Sequence, residues 1–140
     1  KKDIFAKMSF FIDFFIDFVN LTRENPLMKQ ICDYLAVEFQ FKDLLFEYKE
    51  NDICGMKLNM NIDDSIIFAQ KLIDEITQIV KDENIKVYIG ISSRGIRMVS
   101  TDRILKESEE AAKHAKVEET STVIAFRADA TKYRKFIESN

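Results

Sequence analysis

The segment that determines the fold class is Leu44-Leu45-Phe46-Glu47-Tyr48-Lys49-Glu50-Asn51-Asp52-Ile53-Cys54-Gly55-Met56-Lys57-Leu58-Asn59-Met60. Apolar residues alternate with other residues at both ends of this segment, on either side of the polar stretch 49–52. Alternation with a period of two predicts two strands, and the short polar stretch between them predicts a tight turn. The centre of the chain is therefore predicted to form a β-hairpin.

Helical patterns lie on both sides of this hairpin. Asn25 followed by Pro26 is typical of a helix N-terminus, and the apolar positions of this helix continue to Phe39. Asn61 caps a longer helix, in which apolar residues keep a 3.6-residue period up to Val80. The rest of the sequence predicts a strand over residues 85–91, a helix from Ser100 or Thr101 to about Lys116, and a strand over residues 123–126.

The first twenty residues are rich in phenylalanine, at positions 5, 10, 11, 14, 15 and 18. From position 10 onward the spacing is helical, so it predicts a helix over residues 10–19, preceded by a short strand over residues 3–9. Asp13 and Asp17 lie one turn apart on this helix and are expected to face solvent. The phenylalanines are expected to pack in the core, and the alternative is an apolar strip that contacts a neighbouring domain or a second copy of the chain.

These elements give the order β-α-α-β-β-α-β-α-β. This is an α+β fold, an α/β sandwich of the ferredoxin-like kind whose central sheet contains antiparallel strands. A length of 140 residues fits one domain, residues 1–140. Because the chain begins with Lys1-Lys2 and not with methionine, we expect it to be excised from a longer multidomain protein.

Composition excludes several classes of protein. With three glycines, the sequence contains neither the GxGxxG nor the GxxxxGK[ST] phosphate loop, and a net charge of -3 gives no reason to expect nucleic-acid binding. Cys32 and Cys54 have no CxxC spacing, so we expect reduced thiols in a cytoplasmic domain and no metal site. The longest apolar stretch, residues 8–19, contains two aspartates and is too short to span a bilayer, so no membrane contact is expected.

Three stretches of the sequence resemble the GGDEF domain of bacterial diguanylate cyclases, whose palm fold has the same succession of elements. Residues 104–116, ILKESEEAAKHAK, are similar to the LLxxADxALYxAK helix of that family. Residues 87–92, VYIGIS, are similar to its vtvSiGia strand, and residues 28–53 align without a gap with its lLxxvaxxL…RYGGDEF segment. The resemblance implies a nucleotide-cyclase-like palm fold, and an unrelated ferredoxin-like domain is the alternative.

On this alignment the signature loop is Lys49-Glu50-Asn51-Asp52-Ile53. Lys49 and Glu50 replace the two glycines through which the family's backbone approaches the phosphates of GTP. Asn51 and Asp52 replace the acidic pair that helps to hold two divalent cations, so one carboxylate is lost and a magnesium site is weakened. The signature loop is therefore expected to be degenerate.

Other functional positions of the family are changed as well. The metal-binding aspartates of the first strand fall on Met8 and Phe10, and Asp13 replaces them only if the alignment slips by several residues. At the product-inhibition motif RxxD, Gln40 stands in place of the arginine and Asp43 is retained as a vestigial inhibitory-site position. The bidentate contact that arginine makes with a guanine or a phosphate is therefore absent.

Three positions keep residues that can still contact a nucleotide. Asn25 lies at a guanine-recognising position, whereas Ile16, at the other one, cannot form a hydrogen bond to a base. Lys116 matches a lysine that contacts phosphate in the family. Asn25, Asp52 and Lys116 are therefore the candidate residual nucleotide-binding residues, with no catalytic and no metal-binding residue assigned.

The sequence predicts a catalytically inactive GGDEF-like domain, a regulatory or interaction domain of a bacterial protein in cyclic di-GMP signalling. It predicts no cofactor, and its expected partners are neighbouring domains or another copy of the chain, with a guanine nucleotide as a candidate ligand. One alternative is a divergent diguanylate cyclase or other nucleotidyl cyclase that binds GTP and magnesium, using Asp13 or Asp52 with Lys116. Another is a domain that binds a nucleotide without converting it.

Overall fold

The computed structural model describes residues 11–40, 42–49, 51–95, 97–118 and 121–126. The predicted strand over residues 3–9 lies outside these ranges. The described elements are, in chain order, β1 Phe11–Val19, α1 Pro26–Glu38, β2 Leu44–Glu47, β3 Asp52–Leu58, α2 Ile62–Val80, β4 Lys86–Ser93, α3 Thr101–Glu118 and β5 Val123–Ala125.

The strands form one five-stranded sheet in the order β2-β3-β1-β4-β5. β1 lies at its centre and is antiparallel to both β3 and β4, and β2 and β3 form the predicted antiparallel hairpin. β4 and β5 are parallel, and α3 connects them. This mixed sheet with helices on both faces confirms the predicted α+β fold class.

β1 occupies the residues for which a helix was predicted, and that prediction was wrong. A central strand is covered on both faces, so both faces are apolar and the run of residues also fits a helical period. The aromatic and β-branched residues that dominate this stretch favour a strand. On this strand Asp13 is only 2% exposed, so the prediction that it faces solvent was also wrong.

The larger core lies between the sheet and the helices α1 and α2. It contains Phe14, whose ring meets Phe39 and Phe68 in edge-to-face contacts with centroids 5.8 and 5.3 Å apart. Edge-to-face pairs of this kind each add about 1 kcal/mol beyond the area they bury. The phenylalanines of β1 are at most 2% exposed, which confirms core packing and leaves no apolar strip on β1 for a partner.

Helix α3 covers the opposite face of β1 and β4. The contact is close at Gly90, because a Cβ atom there would lie 1.9 Å from the backbone oxygen of Ser108. Phe15, which pairs with Gly90 across the sheet, forms a small second core with Cys54 and Ala112. Within the described residues, no helix combines the length and the apolar character needed to cross a membrane.

Candidate functional site

The turn between β2 and β3 contains the predicted signature loop, and it is held closed by its own side chains. The backbone N–H of Lys49 donates to the Oδ1 atom of Asp52 at 2.7 Å. Arg23, from the segment between β1 and α1, donates to the backbone oxygens of Lys49 and of Asp52, the latter at 3.3 Å. It also pairs with Glu47 at 2.8 Å. Backbone groups of the turn are therefore already hydrogen-bonded.

The other signature positions have separate environments. Asn51 is exposed, and its carbonyl oxygen accepts a hydrogen bond of 2.9 Å from the backbone N–H of Phe18. Ile53 is buried in the larger core. Glu50 lies outside the described residues. Of the four signature residues that the structure describes, Lys49 and Asp52 have side chains that make polar contacts around the turn.

Charged side chains from β1, the turn and α3 meet beside this turn, and we call this group the hairpin cluster: Asp17, Lys49, Asp52, Glu109 and Lys116. Asp17 lies directly opposite Asp52 in the pairing of β1 with β3. The Nζ atom of Lys49 lies 2.5 Å from the Oε2 atom of Glu109, and the Nζ atom of Lys116 lies 3.5 Å from the Oδ2 atom of Asp17. Each of the three carboxylates therefore has a hydrogen-bond donor from the chain itself.

The electrostatics of the hairpin cluster depend on its lysines. Burial raises the pKa of Asp17, and the Lys116 ammonium partly offsets this, while the negative charges of Asp52 and Glu109 add to the rise. The hydrogen bond to Glu109 raises the pKa of Lys49 above its ordinary value. The raised pKa keeps Lys49 positively charged at neutral pH, next to the carboxylate of Glu109.

The hairpin cluster does not fit the pair of divalent cations that the GGDEF resemblance implies. Magnesium takes oxygen ligands in a strict octahedral geometry, and an ammonium group competes with it for the same carboxylate oxygens. Here Glu109 is bound by Lys49, Asp17 by Lys116, and Asp52 by a backbone N–H. In the described part of the chain, no group of three or more His, Cys, Asp or Glu side chains is placed to hold a metal ion.

Two of the predicted site residues make their contacts elsewhere. The side chain of Asn25 caps α1, where its Oδ1 atom accepts from the backbone N–H of Leu27 at 3.0 Å. Asp43 pairs with Lys57 at 2.7 Å and borders an open cleft of about 690 Å³. Asn25 therefore caps a helix, and Asp43, for which a vestigial inhibitory-site position was predicted, forms an ion pair within the chain.

The sequence interpretation missed Arg23 and Glu109 as residues of this region. Glu109 stands at the acidic position of the helix motif LLxxADxALYxAK, so the motif itself contained a signal. Arg23 precedes α1 and has no sequence signal that would place it on the backbone of a turn formed about 26 residues later. The position of Arg23 was accessible only through the packing of elements that are distant in sequence.

Asp13 lies under α3 and is separate from the hairpin cluster. The Ser108 hydroxyl donates to its Oδ2 atom at 2.7 Å, while its buried Oδ1 atom accepts no hydrogen bond from the described residues. Burial raises the pKa of Asp13 to about 7, and the hydrogen bond from Ser108 only partly opposes this rise. The cyclase alternative combined Lys116 with either Asp13 or Asp52. Lys116 pairs with Asp17, which lies opposite Asp52 in the sheet, so Asp13 is not the carboxylate beside Lys116.

The raised pKa of Asp13 predicts a pH-dependent stability that the substitution Asp13→Asn removes. Between pH 5 and pH 7 the folded state holds this proton and the unfolded state has lost it, so stability falls as pH rises. We expect the free energy of unfolding of Asp13→Asn relative to the unsubstituted chain to rise by about 2 kcal/mol from pH 5 to pH 8. Urea unfolding at both pH values measures the difference, and a difference independent of pH would contradict the assignment.

Comparison with known proteins gives no match in sequence and clear matches in structure. No protein-family model matches the chain, and no curated protein sequence matches it. The GGDEF domain of DgcB from Caulobacter crescentus, in complex with c-di-GMP, superposes with a TM-score of 0.70 at 9% identity, covering 86% of this chain and 77% of that one.

Two further solved structures show the same fold. The active GGEEF domain of a diguanylate cyclase from Vibrio cholerae superposes with a TM-score of 0.61 at 14% identity, covering 91% of this chain and 88% of that one. The diguanylate cyclase SiaD from Pseudomonas aeruginosa, in complex with its activator SiaC, gives 0.62 at 9% identity, covering 84% of this chain and 50% of that one. Together with the strand order, these similarities show that the chain is a GGDEF-like domain in its fold.

Proposed function

We propose that the chain is a catalytically inactive GGDEF-like domain that serves as a regulatory or interaction module of a bacterial signalling protein. The observation that carries the proposal is the ion pair between Lys49 and Glu109 at 2.5 Å. Lys49 stands at the first position of the signature loop, so a fixed cation of the protein lies at the turn where the resembled family binds nucleotide and metal.

The geometry of the turn supports the same proposal from a second direction. A glycine-containing turn leaves backbone N–H groups free to approach phosphate oxygens. In this chain the backbone N–H of Lys49 is donated to Asp52, and Arg23 holds the turn from its carbonyl side. A triphosphate that used the Lys49 N–H as a donor would have to break its hydrogen bond to Asp52.

We also propose classes of partner and a cellular location for the chain. SiaD is crystallised with a protein activator and DgcB with c-di-GMP, so a neighbouring domain, a second copy of the chain or a guanine nucleotide are the partner classes we propose. Cys32 and Cys54 are both free thiols, which supports a reducing, cytoplasmic environment.

Calorimetric titration with GTP and magnesium tests the inactive assignment. We expect no binding heat in the micromolar range and no cyclic dinucleotide product for the unsubstituted chain. Lys49→Ala removes the closer of two ammonium groups from Glu109 and is expected to gain weak magnesium affinity, because the carboxylate then keeps only the longer contact with Lys113. Lys113→Ala is the matched control, since Lys113 also approaches Glu109 but only at 4.0 Å. Micromolar GTP binding together with product formation by the unsubstituted chain would overturn the proposal.

A divergent cyclase is the second candidate, and one observation favours it. The carboxylates of Asp17, Asp52 and Glu109 all belong to the cluster beside the turn, and acidic side chains at this place are what a cation-dependent phosphoryl transfer requires. This candidate predicts magnesium-dependent GTP turnover that falls when Asp52 is changed to Ala. A nucleotide that binds without turnover would instead raise the melting temperature, since it would bind only the folded state.

A further inference from the structure

The first strand of the hairpin carries an exposed apolar face at the edge of the sheet. Leu44, Phe46 and Tyr48 alternate along β2 and its end, so they lie on one face, and they are 55%, 37% and 39% exposed. This is the same face of the sheet that α3 covers over β1 and β4. The ring centroids of Tyr48 and Phe15 are 5.9 Å apart on this face. Over β2 itself, α3 leaves the face open to solvent.

β2 is also an edge strand. It pairs with β3 on one side, and among the described residues no strand pairs with its other side. An edge strand presents a row of backbone N–H and C=O groups that a further strand can pair with. A partner that adds a strand here would satisfy these groups and cover the apolar face at the same time.

We propose that the occupant of this edge is a second copy of the chain, whose β2 pairs antiparallel with the first β2 around a twofold axis at Phe46. The two five-stranded sheets then form one continuous ten-stranded sheet. This inference deepens the proposed interaction function and rests on it, but its readout is the mass of the particle in solution and not nucleotide turnover.

Charges along β2 and at its start disfavour two of the other registers. A twofold axis perpendicular to the sheet leaves each face of the sheet on the same side in both copies. Residues that pair across the axis must therefore belong to the same face, which requires the axis to pass at a residue and not between two residues. With the axis at Leu45, Asp43 would lie opposite the second copy's Glu47. With the axis at Glu47, the two Glu47 side chains would oppose each other. Like charges directly opposite each other are destabilising.

With the axis at Phe46, the exposed apolar side chains of β2 and its end pair with one another. Phe46 meets the second copy's Phe46 and Leu44 meets its Tyr48, on the face that α3 covers further along the sheet. Leu45 meets its Glu47 on the other face, so no like charges oppose each other within β2. Aromatic and apolar cross-strand pairs stabilise a sheet.

The expected dimer is weak and concentration-dependent, because β2 has only four residues and small interfaces of this kind are typical of transient association. Sedimentation velocity over a concentration series of the 140-residue chain measures the dissociation constant. Phe46→Glu places two carboxylates on the axis and is expected to weaken the dimer at least tenfold. Met98→Glu is the control, because Met98 is 93% exposed in the segment between β4 and α3 and lies away from this edge.

Cysteine cross-linking tests the register independently of affinity. Phe46→Cys places two thiols opposite each other on the axis, so we expect an intermolecular disulfide between identical copies under mild oxidation. Leu44→Cys alone is expected not to cross-link, since four residues separate the two copies of this position by roughly 13 Å along the strands. A mixture of Leu44→Cys and Tyr48→Cys chains is expected to cross-link as a heterodimer.

Circular dichroism of each variant confirms folding before either assay. A monomer at all concentrations, as expected if another part of the chain covers β2, overturns the inference, and so does a dimer that Phe46→Glu leaves unchanged. Self-cross-linking of Leu44→Cys overturns the register. None of these outcomes alters the result of the GTP titration, so the two proposals fail separately.

Discussion

Replacing Gly90 by alanine is expected to destabilise the chain by about 3 kcal/mol or more. The added Cβ atom would lie 1.9 Å from the backbone oxygen of Ser108 and 2.4 Å from the backbone nitrogen of Ala112, and backbone atoms of a helix cannot rotate away. The whole of α3 would have to move off the sheet, so the loss exceeds the usual range for overpacking a core. Urea unfolding at constant pH measures it as a shift of the midpoint at unchanged slope.

Gly55 provides the matched control for this substitution. A Cβ atom there would also overlap a neighbour, at 2.4 Å. This neighbour is the ring of Phe39, a side chain that can shift more easily than helix backbone. We therefore expect Gly55→Ala to cost about 1 kcal/mol. Equal losses for the two alanine variants would show that α3 is not held at a fixed distance from β4.

The same experiment reports on the hairpin cluster. α3 carries both Glu109 and Lys116, so a displacement of this helix separates Lys49 from its carboxylate and Lys116 from Asp17. Gly90 pairs with Phe15 of β1. Asp17 is two residues further along β1, so its side chain lies on the same face as that of Phe15. The closeness of α3 to the sheet is thus a condition for the ion pairs on which the proposed function rests.

Replacing Glu107 by alanine is expected to cost about 3–5 kcal/mol, since it removes the carboxylate from a buried ion pair. Arg97 donates two hydrogen bonds to Glu107, at 2.6 and 2.8 Å, and Ser92 donates a third at 2.6 Å. The side chain of Glu107 is 1% exposed. Without it, the Arg97 guanidinium remains partly buried next to α3 with its main acceptor gone. Thermal and urea unfolding measure the loss.

The pH dependence of Glu107 gives a second readout. Burial alone would raise the pKa of Glu107, but the hydrogen bonds from Arg97 and Ser92 outweigh it and hold the pKa below the ordinary value. A lowered folded-state pKa stabilises the folded chain above the ordinary value, and that stability is lost as pH falls through the lowered pKa. Glu118→Ala is the control: its pair with His114 is exposed, so we expect a change within about 0.5 kcal/mol.

The local elements of the fold were predictable because their signals lie within a few residues. Asn25 and Asn61 cap α1 and α2 as predicted, with side-chain oxygens that accept from Leu27 and Asp64. The hairpin also followed from its alternation. β1 was not predictable by periodicity, because its apolar run reflects coverage of both faces, and that coverage depends on helices up to about 100 residues away.

The candidate site was predictable in part for the same reason. The alignment located Lys49 and Asp52 in the turn because the hairpin is a local structure. It grouped Lys116 with Asp52 as candidate nucleotide-binding residues, and both lie beside the turn. It did not place Asp17, which was assigned to a helix, and it assigned no role to Glu109. Side chains brought together by three separate elements are a property of the sheet order, which local sequence patterns do not contain.

In the ion pair of Lys49 with Glu109, the chain itself supplies the positive counterion of the carboxylate. A covalently attached ammonium is always present at a high effective concentration, whereas a divalent cation must compete from solution. Under the proposed inactive function, we expect the contacts of the turn to form at folding and to stay the same when magnesium or GTP concentrations change. In the proposed regulatory role, the turn would then present a partner with the same surface at every concentration of these ligands.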